Sequence, residues 1–228
     1  MTSHSDIARA VVDRCGSTYA DDAGIRLRNE PAPLFQLLVL AELLSARIGA
    51  DIAVAAAREL FTHGWTTPQH MRDAARSSVV RALGRGGYRR YDERTATQLR
   101  ELAQHVLDRY GGDLRRLGEQ SHGDVGTASR LVQEVKGIGP TGAAVFLREA
   151  QAVWPWVRPY LDERARAGAR RIGLPEGAEQ LAGLVADSEL AQFASGLVRI
   201  SLLPERVDPL EPDQSDEPGA APPTAVVE

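Results

Sequence analysis

Val135-Lys136-Gly137-Ile138-Gly139-Pro140-Thr141-Gly142-Ala143-Ala144 is the stretch that decides the fold. Two glycines around one apolar residue allow a tight reversal between helices, because glycine enters backbone conformations closed to other residues. Ile138 can tuck beneath such a turn. The amides of the hairpin and of the following helix N-terminus then point outward, and they can hold a phosphate oxygen without reading base identity. A helical corner with no ligand is the second reading of the same residues.

The flanks are written in helical periods. VGTASRLVQEV (125–135) precedes the hairpin and TGAAVFLREA (141–150) follows it, giving helix, hairpin, helix. Upstream, PLFQLLVLAELLSARI (33–48) is apolar almost throughout, as in a helix buried on most sides. A helix is expected from Asp51, as N-cap, to Gly64, and another from the Thr67–Pro68 cap. SSVVRALG (77–84) leads into the glycine-rich turn GRGGYRRY (84–91). Residues 92–112 form an amphipathic helix with Leu99, Leu102, Val106 and Tyr110 on one face, stopped by Gly111–Gly112. Downstream, VWPWVRP (153–159) reads as an extended connector, LDERARAGARRIG (161–173) as a helix, and 173–203 as two more. No period-two alternation long enough for a sheet appears, so the fold is expected to be all-α.

Composition narrows the class. The 228 residues are 43% hydrophobic and 25% charged, as in an ordinary globular protein. No apolar run approaches the roughly 18 residues that cross a membrane, and MTSHSDIARAVVDRCG does not read as a secretory signal. A cytoplasmic location without membrane contact is expected. Cys15 is the single cysteine, which rules out an internal disulfide and leaves no thiolate set for a metal or iron–sulfur cluster; no metal or cofactor is expected. Net charge is −4, but residues 205–228 hold seven acids and one base, so the remaining body is +2. That permits a nucleic-acid partner without demanding one. The Pro- and acid-rich stretch 206–228 is expected to be a disordered tail. Lys136 is the only lysine.

Three further stretches carry a resemblance. VKGIGPTGAAVFL is followed by Trp154-Pro155 and by LDERARAGARRIGL at 161–174; PLFQLLVLAELLSAR lies at 33–47; a glycine turn and long helix occupy 84–117. In this order and spacing, residues 31–174 resemble the helix-hairpin-helix DNA glycosylase family, which includes endonuclease III. The resemblance implies a two-lobed all-α fold of the endonuclease III type: a helical barrel-like lobe over 31–152 ending in the hairpin, a second lobe from 1–30 plus 153–205, and a DNA groove between them. The implied partner is double-stranded DNA, bound by a monomer, with nucleoid association when bound. The family's four-cysteine cluster is absent here.

The resemblance places Asp162 on the family's catalytic aspartate, at the groove floor. A carboxylate there stabilises positive charge building on the deoxyribose as a base leaves, and can orient or deprotonate a water. Asp162 is equally a fitting N-cap for the helix after it, and both roles can hold at once. Bifunctional relatives use a lysine amine for strand cutting; the matching residue here is Thr141, and Lys136 lies on the wrong side of the hairpin glycines. The implied activity is a monofunctional base-excision glycosylase lacking efficient lyase activity, with a non-catalytic helix-hairpin-helix DNA-binding protein as the alternative. Phosphate contact falls to Lys136, Gly137, Ile138, Gly139, Thr141 and Gly142. Arg47 stands where relatives carry the residue that fills the gap left by a flipped base. Two departures stand out. Leu161-Asp162-Glu163-Arg164 replaces the family's aspartate segment, and Trp156-Val157-Arg158-Pro159 lengthens the connector. Tyr88 and Tyr91 lie near the expected pocket. Arg164, Arg166, Arg170 and Arg171 read either as a phosphate-facing stripe or as a solvated face.

Overall fold

A computed structural model describes residues 3–204. The described residues are helical with no strand, in thirteen α-helices and two 3-10 turns. The tail at 206–228, expected to be disordered, lies outside the described residues.

Helices α1 (His4–Cys15) and α2 (Tyr19–Asp22) open the chain, each behind a capping box. In α1 the Ser3 hydroxyl accepts from the Asp6 amide while the Asp6 carboxylate accepts from Ser3 N, satisfying two end amides at once. Helix α3 (Pro31–Leu44) starts on a proline at its first position and is buried from Leu34 to Leu43 save Gln36. It ends four residues before the expected limit. Helix α4 (Ala50–Thr62) has Gly49, not Asp51, as N-cap; Asp51 sits inside the first turn, where its charge still meets the helix dipole. Helix α5 (Pro68–Asp73) is capped as expected, the Thr67 hydroxyl accepting from His70 N. Helices α6 (Arg76–Arg85) and α7 (Asp92–Tyr110) flank the glycine turn, and α7 stops at Gly111 in the left-handed region. Short α8 (Arg116–Gln120) leads to α9 (Val125–Gln133) and α10 (Pro140–Ala150), the two arms of the hairpin. The connector expected to be extended instead winds into a 3-10 turn at Pro155–Val157, because Trp154 is buried and Trp156 stacks on it with ring centroids 5.2 Å apart. Helices α11 (Glu163–Arg171), α12 (Ala178–Ala182) and α13 (Leu190–Leu202) follow.

Two apolar cores result. The larger gathers side chains from Tyr19 to Val157, with Leu37, Leu40, Phe35 and Phe146 wholly enclosed. The smaller joins Ala8 and Val11 of α1 to Leu161, Ala165, Ala169, Phe193 and Leu197. The N-terminal segment is thereby divided: α1 packs in the smaller core, while Tyr19, Ala20, Ala23 and Ile25 pack in the larger.

The smaller core depends on a backbone crossing. A Cβ on Gly168 of α11 would lie 1.9 Å from the Leu197 carbonyl oxygen of α13, so no side chain fits there. Gly168→Ala is expected to lower unfolding free energy by roughly 2–4 kcal/mol, since overpacking against backbone cannot relax by rotamer change. Urea denaturation checks this; an unchanged midpoint would show that the two helices can separate freely.

Candidate nucleic-acid interface

The hairpin is built as its glycines require. Gly137 has φ 102°, in the region that disfavours side chains. Ile138 is buried, and its amide donates to the Val135 carbonyl at 3.0 Å, closing the turn. Gly139 is the N-cap of α10 and no side chain caps the helix. The amides of Gly137, Gly139, Thr141 and Gly142 have no acceptor among the described residues. Gly142 permits a close approach to α3, since a Cβ there would come within 2.2 Å of Ser45 Oγ. The hairpin therefore sits directly on the C-terminal end of α3 and the Ser45–Arg47 turn.

That contact divides a continuous groove. A cavity of about 950 Å³ is lined by Ser45, Arg47, Thr141, Arg148, Asp162 and Arg164, among others. An adjoining recess of about 250 Å³ shares Ser45, Ala46 and Arg47 with it and adds Glu42, Tyr88, Tyr91 and Arg94. A third hollow of about 330 Å³ shares Arg94, Gln98 and Gly137 with the recess and reaches Lys136. Along this path Arg47, Arg94 and Arg164 are exposed and have no hydrogen-bond or ion-pair partner among the described residues. Lys136 does have one: its ammonium pairs with Glu101 at 3.0 Å.

Asp162 lines the same cavity. It is the N-cap of α11, with Oδ1 accepting from Ala165 N at 2.9 Å. Its other oxygen, Oδ2, accepts a short charged hydrogen bond from Nη1 of Arg148, in the last turn of α10. The side chains are 2% and 9% exposed, making this the one buried ion pair of the described residues. Neither Trp156 nor Arg158 reaches Asp162. Trp156 covers Gly118, and Arg158 donates to the Gln151 and Ala152 carbonyls. Glu149, next to Arg148, is wholly buried and accepts from the Tyr19 and Ala20 amides at 2.9 and 2.8 Å and from Ser195 Oγ at 3.3 Å. Burial pushes its carboxyl up, against the pull of Arg148 and the amides.

The arginine stripe on α11 does not form. Arg166 and Arg170 pair with Glu163, Arg170 also with Glu176, and Arg171 donates to carbonyls at the end of α13; these guanidiniums hold their own lobe together. Only Arg164 of the four lines the cavity. Tyr88 is buried with its hydroxyl accepting from Thr95 Oγ1 at 3.3 Å, whereas half-buried Tyr91 carries Arg90 over its ring at 5.3 Å.

Sequence reading passed over two residues. Arg148 is one. Glu42 is the other: 5% exposed, it stands under Gly137, where a Cβ would come within 2.3 Å of Oε1, and its Oε2 has no partner. Burial pushes its carboxyl up from 4.5 to about 7, with Arg94 opposing weakly. The sequence signal was present in both cases, as a lone acid in the apolar run LLVLAELL and an Arg-Glu pair closing AAVFLREA.

No known protein family's profile matches the chain, and no curated protein does. Among solved structures, a trapped endonuclease III–DNA covalent intermediate (an estranged-adenine complex) is similar at 16% identity, covering 86% of this chain and 85% of that one, with a TM-score of 0.47. The class that the geometry itself defines is an all-α helix-hairpin-helix protein with an arginine-rimmed groove.

Glu42 gives a measurable pH dependence. Its folded pKa lies above its unfolded value, so the folded state binds the extra proton. The protonated form's advantage is fully present below about 4.5 and is lost as pH rises through about 7. Wild type is expected to lose roughly 2–3 kcal/mol more stability between pH 4.5 and 8 than Glu42→Gln. Urea unfolding of both proteins across that range is the check; parallel curves would mean that Glu42 is ionised and partnered.

Proposed function

We propose that the protein binds duplex DNA across this groove and hydrolyses the N-glycosidic bond of a damaged or mispaired base turned out of the helix. The observation that carries the reading is the place of Asp162: a carboxylate lining a 950 Å³ cavity that also takes in Thr141, at the uncapped start of α10. The hairpin amides take a phosphate, Arg47 enters the duplex beside the vacated position, and the extruded nucleotide occupies the cavity. As the C1′–N bond breaks, the pair of electrons leaves with the base and positive charge builds on the sugar. Asp162 stabilises that charge; water oxygen bonds to C1′, and its proton passes to the carboxylate and out with the base. Thr141, at the head of the hairpin helix, has no amine for a Schiff base, so the product is an intact strand with an abasic site.

A second reading, a DNA-binding protein without hydrolysis, is favoured by one observation. Both oxygens of Asp162 are engaged, and the guanidinium on Oδ2 offsets the charge the reaction needs.

One set of measurements separates the two. Duplexes carrying uracil, thymine glycol, 8-oxoguanine, hypoxanthine or a T·G mismatch are incubated with the protein, with and without hot alkali. Breaks appearing only after alkali are expected; breaks without alkali would refute the role given to Thr141. Binding alone, across the whole panel, would leave the non-hydrolytic protein. Duplex affinity should fall with salt on a log–log slope of about −3, as for three or four neutralised phosphates. Arg47→Ala should weaken binding to every sequence; an unaltered Kd would remove Arg47 from the interface.

A further inference from the structure

Hydrolysis by Asp162 faces an obstacle that the fold itself supplies, and the residue responsible is Arg148. It projects from the last turn of α10, is 2% exposed, and cannot swing into solvent. Its Nη1 donates to Asp162 Oδ2. Its Nε is buried with no acceptor among the described residues. A buried donor left unmet is costly, so the guanidinium is not placed for its own satisfaction. Its one side-chain partner is the carboxylate that lines the cavity.

We propose that Arg148 is a positioning residue that holds Asp162 in place and limits how fast it works; the proposal rests on the hydrolytic reading above. Two effects act together. Oδ1 is tied to the α11 N-terminus and Oδ2 to Arg148, so a water can reach only the lone pair left on each oxygen. The guanidinium also sits beside the place where positive charge develops on the sugar, where it opposes the transition state through a poorly screening interior. The outcome is a site that grips an extruded nucleotide and cleaves it slowly. A carboxylate freed from a charged hydrogen bond is expected to act roughly 10- to 100-fold faster.

The test is single-turnover base release by wild type, Arg148→Gln and Arg148→Lys on the duplex that wild type binds most tightly, with duplex Kd measured on the same proteins and folding verified by thermal melting. Arg148→Gln should raise the rate constant roughly 10- to 100-fold and leave duplex Kd unchanged. Arg148→Lys, which keeps the charge but loses the planar fork, should fall between the two. A purely structural role would not raise the rate in any variant. Rates equal to or below wild type in a folded Arg148→Gln or Arg148→Lys protein would overturn the proposal and leave Arg148 a strut. If Arg148→Gln does not fold, the Arg148→Lys comparison decides alone. Base release by a variant where wild type shows none supports it. Duplex binding by all three proteins with no base released by any overturns the hydrolytic reading itself, a result distinct from wild-type cleavage that the variants fail to accelerate.

Discussion

One turn of helix holds this molecule in its working shape. Arg148 and Glu149 are adjacent in sequence, both buried, and they reach in different directions from the end of α10. Glu149 receives the first amides of α2 and the Ser195 hydroxyl of α13; Arg148 receives Asp162 at the head of α11. Two opposite charges enter the interior together, and each is met by polar groups of the segment it fixes. Removing one member of a buried pair costs ~3–5 kcal/mol, because the other stays behind uncompensated. The same reasoning bears on the obvious control at the site. Asp162→Asn leaves a guanidinium buried without its counter-charge, so a loss of activity in that protein reports on folding and on chemistry at once.

This polar junction lies between two separate apolar cores, and that is why a groove exists. Each core closes on itself: the larger around α3 and α10, the smaller around α11 and α13. Small residues bring the parts close where they meet. Gly142 lets α10 rest on the Ser45 turn, and Gly168 lets α11 rest on the backbone of α13. Between these contacts the surface stays concave and is lined by the ends of elements: the start of α10, the turn after α3 and the cap of α11. The start of α10 brings unpaired amides to a concavity otherwise lined by both apolar side chains and charged ones.

What the sequence reveals here is what is local. The hairpin follows from Gly137, Ile138 and Gly139 alone, and the stop of α7 at Gly111 follows from that glycine's left-handed backbone. Asp162 was legible as a cap, since a cap needs only the next three residues; its placement in a groove came from the family resemblance alone. Partners far along the chain were not legible. Arg148 and Asp162 are 14 residues apart and on different elements; Lys136 and Glu101 are 35 apart. Nothing in the run AAVFLREA tells which of its charged residues turns inward, because a buried charge is stable only through a partner whose position the fold determines. The α11 arginines show the converse. Their spacing suggested one face toward DNA, yet Glu163, Glu176 and the α13 carbonyls were nearer acceptors and took three of the four.

The distribution of cations then bears on how such a chain, with net charge −4, could hold DNA at all. Arg72, Arg76, Arg85 and Arg109 along α5–α7, and Arg166 and Arg170 on α11, are engaged by neighbouring carboxylates, and such surface pairs add little stability but do remove positive potential from those faces. Arg47, Arg94 and Arg164 keep theirs, and all three line one continuous groove. If the groove binds DNA as proposed, three cations would give modest electrostatic affinity, and the greater share would come from directed contacts with the open amides at the head of α10. On the proposed reading, weak attraction with a defined register would let the protein leave undamaged duplex quickly and dwell where a nucleotide can be turned out into the cavity. The buried Arg148–Asp162 pair fits that reading, since a charge-balanced carboxylate would not repel phosphates held at the cavity's rim.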